Sequence, residues 1–184
     1  MKREELEHIL RAAATIARDE DIRVVGSQAI LGSFGEDELP EAAHASIEVD
    51  VTFYDDPHND KSDAVDMHIG EGSAFHELHG YYAQGVDISV AHLPNGWKNR
   101  VTVYTGDAAN GARAHCLDPH DLVVSKLVAG RDKDFEFAHA LLAQGLVGAQ
   151  ILIERAVQLP DAPEGERVKA WVTGWVKKHQ PTGR

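Results

Sequence analysis

Between Ser46 and Tyr54 the chain reads SIEVDVTFY, and apolar and polar residues alternate without a break. Successive side chains on a β-strand point to opposite faces, so Ile47, Val49, Val51 and Phe53 share one face and Glu48, Asp50 and Thr52 share the other. A helix cannot use this pattern, because its apolar positions must recur every three to four residues. The stretch therefore predicts a strand with one buried face and one face that carries two carboxylates. Such a strand is not stable alone; it requires a sheet and a second layer to cover the apolar side.

Further strands are predicted at Ile22–Val25, a short apolar run ending at Gly26, and at Val86–His92, where VDISVAH alternates again. Arg100–Tyr104 and Ala112–Leu117 complete the set. Lys2–Arg18 predicts an amphipathic helix, with Leu6, Ile9, Leu10, Ala13 and Ile16 at helical spacing. Gln28–Leu31 opens a second helix that Gly32-Ser33-Phe34-Gly35 ends. Glu36–Ala45 is acidic, contains Pro40 and reads as loop; Asp55–Asp63, DDPHNDKSD, reads as a mobile polar loop. Ala64–Gly80 is helical in character with glycine breaks. From Asp118 the pattern becomes helical throughout. Asp118 is placed to cap and Pro119 to open the first of these helices, around Leu122–Ala129. Lys133–Ala143, Ala149–Leu159 and Glu164–Lys178 follow. The expected class is α+β: a mixed sheet flanked by helices over residues 1–117, then a helical segment over 118–184 packed on it as one compact unit.

Composition narrows the function classes. The net charge is −12, from 18 basic and 30 acidic residues, which argues against broad nucleic-acid binding. It suits a carboxylate-rich metal site or a basic protein partner. No apolar run approaches the roughly 20 residues that cross a bilayer, and the charged, helical MKREELEHIL is unlike a signal peptide. A cytoplasmic protein is expected. The single Cys116 excludes an internal disulfide and a cysteine-rich zinc site.

Glu48 and Asp50 stand about 7 Å apart along one strand face. Two carboxylates so placed repel unless solvated or joined by a cation, and hard oxygen donors suit Mg²⁺, which commonly takes one or two carboxylates together with substrate phosphates. Asp87, in the second alternating strand, supplies a third carboxylate if that strand lies beside the first. Gly26-Ser27 stands at a strand-to-helix corner. Glycine there lets a backbone approach phosphate closely, and the amides that open a helix favour anions. Taken alone Gly26-Ser27 is a turn, and Glu48 and Asp50 are the solvated face of an edge strand.

Taken together they carry a resemblance. Gly-Ser at the corner, an acidic-x-acidic strand and a third acidic strand resemble the nucleotidyltransferase superfamily of the polymerase-beta type. Leu117–Leu142, LDPHDLVVSKLVAGRDKDFEFAHALL, resembles the helical segment of AbiEii-like and related uncharacterised nucleotidyltransferases, which include toxins of toxin–antitoxin systems. The resemblance spans about residues 20–145. It implies a nucleotidyltransferase-like fold and transfer of a nucleoside monophosphate from an NTP to a hydroxyl, with a tRNA 3′ end or a protein as acceptor and a cognate antitoxin as a further partner. It places phosphate binding on Gly26 and Ser27, and Mg²⁺ on Glu48, Asp50 and Asp87. Nucleotide contact falls on Lys126 and the later helical acid on Asp134. Asp87 or Asp134 is then the group that takes the proton from the acceptor hydroxyl.

The sequence departs from the family pattern at three places. Glu48 stands where Asp is usual, Gly32 and Ser33 where a basic residue is usual, and Phe137 where a second Asp often follows Lys133-Asp134. These departures point to a second reading, a catalytically silent module that binds a nucleotide or a partner. A third, an antibiotic nucleotidyltransferase, shares the core and requires an acidic pocket for a cationic drug.

Overall fold

The computed structural model describes residues 1–179. Helix α1 (Arg3–Ala17) buries Leu6, Ile9, Leu10 and Ala13, the stripe expected from their spacing. It stops at Arg18, whose left-handed backbone (φ 53°) turns its amide back to the Ala14 carbonyl. Strand β1 (Asp21–Val24) follows. After it Ser27–Gly32 forms a 3₁₀ helix in place of the expected α-helix. Gly32 presses against Cys116: a Cβ there would lie 2.6 Å from Cys116 Cβ.

The stretch expected as loop at Glu36–Ala45 contains a 3₁₀ turn (Glu36–Glu38) and the one-turn helix α2 (Glu41–His44), which buries Ala43. Strand β2 (Glu48–Phe53) is the alternating strand, with Val49, Val51 and Phe53 buried. Ile47 falls outside it and is 48% exposed. Thr52 is also buried, so the polar face of β2 is itself partly covered.

The loop expected to be mobile at Asp55–Asp63 is tied down. The Asp56 carboxylate accepts from the Lys61 amide (3.0 Å), the Ser62 amide (2.9 Å) and the Ser62 hydroxyl (2.8 Å). Helix α3 (Asp60–Ile69) thus starts inside it. Helix α4 (Ala74–His79), capped by the Ser73 hydroxyl, matches the helical stretch with glycine breaks.

The second alternating strand is a correction. Strand β3 is Tyr82–Gly85, and Ile88–Val90 is a 3₁₀ turn. Gly85 closes β3 where α3 crosses it: a Cβ there would lie 1.8 Å from the Ser62 carbonyl oxygen. The Val86 amide still reaches the Val51 carbonyl at 2.9 Å. Beyond that β2 ends at Phe53, and the chain turns at Asp87, whose carboxylate accepts from the Ser89 amide at 2.8 Å. The alternation of Val86–His92 buries no face; Val90 is 60% exposed.

Strands β4 (Thr102–Tyr104) and β5 (Arg113–Cys116) complete a sheet of order β3-β2-β1-β5-β4. The central β1 runs antiparallel to β2, pairing Ile22 with Phe53, and parallel to β5, pairing Val24 with Cys116. β3 is parallel to β2 and β4 antiparallel to β5. Helices α1 and α3 pack against each other and against the β1–β3 side of the sheet.

Helix α5 (Pro119–Ala129) is capped by Asp118, whose carboxylate accepts from the His120 and Asp121 amides at 2.9 and 3.3 Å. It ends at Gly130 in the left-handed conformation. Helices α6 (Asp132–Ala143), α7 (Ala149–Ala156) and α8 (Ala162–His179) follow. α5 packs on all three and on the Ser27–Gly32 turn. The two parts of the chain are also pinned by Asp121, fully buried on α5. It receives Arg100 Nε at 2.7 Å and Nη2 at 3.0 Å from the loop before β4, and Arg155 of α7 approaches to 3.3 Å. Among the described residues no helix is long and apolar enough to cross a membrane.

Candidate active site

A cavity of about 300 Å³ lies where the corner after β1, the middle of β2, and the ends of α5 and α6 meet; Gly26, Asp50, Ser125, Lys126 and Arg131 line it. The sheet register brings Asp50 there. The Val25 amide donates to the Asp50 carbonyl at 3.1 Å, so the exit of β1 lies directly beside this residue. A Cβ on Gly26 would fall 1.5 Å from Asp50 Oδ2 and 2.9 Å from Asp50 Cβ. The backbone of Gly26 is extended with φ −90°, so the position demands space and not an unusual conformation. Gly26→Ala is expected to displace the Asp50 carboxylate and destabilise the protein by about 1–3 kcal/mol, the range for overpacking a close contact. Urea unfolding checks this, and an unchanged midpoint would refute the tight contact.

Asp50 is a strained acid. Burial pushes its carboxyl up from an ordinary value of 3.8 to about 7, and the neighbouring Glu48 carboxyl adds to the rise. Lys126 and Arg131 pull in the opposite direction without cancelling the effect. Glu48 is held by the Tyr82 phenol, which donates to Glu48 Oε2 at 2.9 Å. Burial, and then this carboxylate, raise the Tyr82 phenol, which thus stays a donor.

The cations come from the helical segment. Lys126 is mostly buried, with 11% of its side chain exposed, and its Nζ lies 3.4 Å from Asp134. Burial lowers its pKa, while Asp134 and then Asp50 work against that shift. Arg131 sits at the start of α6, and its Nε donates to Asp134 Oδ2 at 2.7 Å and its Nη2 to Oδ1 at 3.2 Å. Asp134 is 1% exposed and does not line the cavity. Burial acts to raise its pKa, but Arg131 and Lys126 outweigh burial and hold it below the usual carboxylate range. Asp134 therefore orients the two cations, and the expected proton-accepting role does not suit it.

Of the residues singled out from sequence, Gly26, Asp50 and Lys126 meet in this cavity. Ser27 begins the 3₁₀ turn next to Gly26, and Glu48 stands two residues from Asp50 on β2. Asp87 is a correction. It faces a separate cavity shared with Arg23, Thr52 and Asn59, and its carboxylate accepts from Asn59 Nδ2 at 3.1 Å. The cause is the early end of β3. Among the described residues no group of three or more His, Cys, Asp and Glu side chains converges to hold a metal ion, so the expected trio of Glu48, Asp50 and Asp87 is not formed.

Arg131 reads from sequence as an ordinary surface charge. Its signal was its spacing of three from Asp134 at a helix start, which brings the two side chains together. Tyr82 lay on a strand that the alternation rule misplaced by several residues.

The mixed sheet flanked by helices, the Gly-Ser corner after its central strand, the acidic-x-acidic neighbour strand and the helical segment after it define a nucleotidyltransferase-like α+β fold. The chain belongs to the family described as "Nucleotidyltransferase of unknown function (DUF6036)", whose model matches residues 4–177. Comparison with curated proteins and with solved structures gave no match.

Proposed function

We propose that the protein transfers a nucleoside monophosphate from an NTP to a hydroxyl acceptor. The observation that carries this is the cavity in which Asp50, pressed against Gly26, faces Lys126 and Arg131. Two cations on one side suit a triphosphate, and Asp50 on the other, with Glu48 two residues away on β2, suits a divalent cation.

The residues fit Mg²⁺. Asp50 is pushed up to about 7, by burial first and then by the adjacent Glu48 carboxyl, and a cation between the two would relieve that cost. Glu48 and Asp50 would hold the ion, with substrate phosphates completing its shell. Mg²⁺ bound there supplies Lewis acidity toward the attacking hydroxyl and the leaving pyrophosphate.

The chain's own groups do the rest. Lys126 and Arg131 offset charge on the phosphates, and they do so from fixed positions because Asp134 orients both. Gly26 leaves no side chain between the corner and the carboxylate. Ser27 at the head of the turn offers its hydroxyl to phosphate. The acceptor classes that the resemblance suggests are a tRNA 3′ end and a protein side chain. The toxin role, with a cognate antitoxin, rests on that resemblance alone; growth arrest on expression, relieved in Asp50→Ala, is its test.

The transfer assay uses purified protein, Mg²⁺, each labelled NTP in turn, and total tRNA or the protein itself as acceptor. Lys126→Ala is expected to lower transfer by about 10²-fold or more, the size of effect seen when a preorganised charge is removed from a transition state. Equal transfer by this variant would refute the assignment. A second reading has its own support: Asp87 lies elsewhere, which leaves two carboxylates and suits a silent nucleotide-binding module. NTP and Mg²⁺ that raise the melting temperature while no label is transferred would favour it.

A further inference from the structure

A second cavity, of about 400 Å³, lies between the turn after β3, the 3₁₀ turn at Trp97–Asn99 and the α7–α8 junction. Ala91 lines both this cavity and the one that holds Asp50, so the two adjoin. Its volume falls in the range of small-ligand sites. Leu93, Trp97, Leu159 and Pro160 give it an apolar wall, and Arg23, His92, Lys98, Asp161 and Glu164 give it charge.

The charges are not equally free. Glu164 Oε2 lies 2.9 Å from His92 Nδ1, and Asp161 accepts from the Glu164 amide at 3.1 Å as the cap of α8. Both acids are thus engaged within the fold. Arg23 is only 7% exposed, yet among the described residues no carboxylate lies within ion-pair distance of it. Its Nη2 donates to the Phe53 carbonyl and reaches Thr52 Oγ1 at 3.4 Å, and its guanidinium lies 4.7 Å from the Tyr54 ring centroid. Its Nε is buried with no hydrogen-bond partner. Lys98 is exposed and makes no ion pair among the described residues; its Nζ lies 5.8 Å from the Trp97 ring centroid. A buried cation without a counter-ion is costly. Arg23 and Lys98 are thus two cations at one cavity without an ion pair among the described residues, although Asp56 and Asp87 stand near enough to Arg23 to work against the effect of burial.

We infer that this cavity binds the acceptor of the transfer reaction through an anionic group, a phosphate or a carboxylate, held by Arg23 and Lys98, with an apolar part of the same molecule against Trp97 and Leu159. Its role as acceptor site rests on the reading of the neighbouring cavity as the nucleotide site; its preference for anions does not.

The test is an NMR titration of the full chain with phenyl phosphate, benzoate and benzylamine, following the Trp97 indole N–H signal, identified by its loss in Trp97→Phe. Phenyl phosphate or benzoate is expected to shift that signal, and which of the two binds more tightly tells phosphate from carboxylate. Lys98→Glu, at an exposed position where folding is not at stake, is expected to weaken binding about five-fold or more, since it replaces an attraction by a repulsion. Lys126→Ala is expected to leave phenyl phosphate binding at Trp97 in place. Benzylamine binding in preference to the two anions, no shift up to about 10 mM, or equal affinity in Lys98→Glu would each overturn the inference. Titration of the same samples with NTP and Mg²⁺ separates the two readings. NTP binding lost in Lys126→Ala and kept in Lys98→Glu upholds two distinct cavities. No NTP binding by the wild type removes the acceptor role, while the phenyl phosphate titration still decides whether the cavity selects anions.

Discussion

Asp50→Asn is expected to abolish transfer and at the same time to make the folded protein more stable at pH 8. The carboxyl of Asp50 is pushed up from 3.8 to about 7 by burial and by Glu48. Between those two values the folded chain binds more protons than the unfolded one, so wild-type stability falls as pH rises through that window. Above it the folded state carries the cost of a buried carboxylate that Lys126 and Arg131 only partly offset. Asparagine removes that charge in a similar shape. At about 1.4 kcal/mol per unit of raised pKa, the gain at pH 8 is on the order of 2–4 kcal/mol. Below pH about 4 the acid is protonated in both states and the two proteins should be equally stable. Urea unfolding at pH 4, 6 and 8 reads this directly. Equal stability at all three would show that Asp50 is not a buried acid under strain. Added Mg²⁺ should narrow the gap at pH 8, because only the wild type gains from a cation between Glu48 and Asp50.

Asp121→Ala is expected to produce the largest loss of stability, about 3–5 kcal/mol, as when one partner of a buried ion pair is removed. The variant leaves Arg100, which holds both oxygens of Asp121, and Arg155 beside a void with no counter-charge. For a chain of this length that loss corresponds to a fall in melting temperature of roughly 6–20 °C. The triple variant Asp121→Leu with Arg100→Met and Arg155→Met should recover much of it, since both stranded charges disappear with their partner. A melting temperature unchanged in Asp121→Ala would mean that the three side chains do not clamp α5, α7 and the loop before β4 together. Because the clamp sits at the base of the helical segment that supplies Lys126 and Arg131, its loss should also weaken NTP binding in whatever fraction remains folded.

The strand at Glu48–Phe53 was legible because one of its faces is buried and one is not, which forces period two on the sequence. The stripe of α1 and the Asp118-Pro119 cap of α5 were legible for equally local reasons. Val86–His92 shows the limit of such rules. Its alternation is as clean as that of β2, yet a strand continues only while a neighbour offers carbonyls and amides, and β2 has turned away by then. Its true extent at Tyr82–Gly85 was hidden because Gly85 is there to admit the α3 backbone and carries no pattern of its own. The loop at Asp55–Asp63 was misjudged because its polarity is used internally: Asp56 spends both oxygens on the first turn of α3. At the candidate site, residues on one strand or corner were legible, whereas Arg131 required knowing that Asp134 is buried, a property of the packed helices and not of their sequence.

The place of β1 in the sheet bears on how the chain comes to fold. Among the described residues it precedes the other four strands in sequence, and it lies in the middle, between β2 and β5. On a ribosome its β2 side can be satisfied once Phe53 has emerged, but β5 does not begin until Arg113, about 60 residues and several seconds later at some 5–20 residues per second. Through that interval β1 is an unpaired edge with apolar residues on it, open to pairing with another nascent chain. The late parallel pairing also ties residues far apart in sequence, so closing the sheet carries a large loop-closure cost and should be slow in refolding. Such a chain is expected to gain from chaperones or from low local concentration during synthesis.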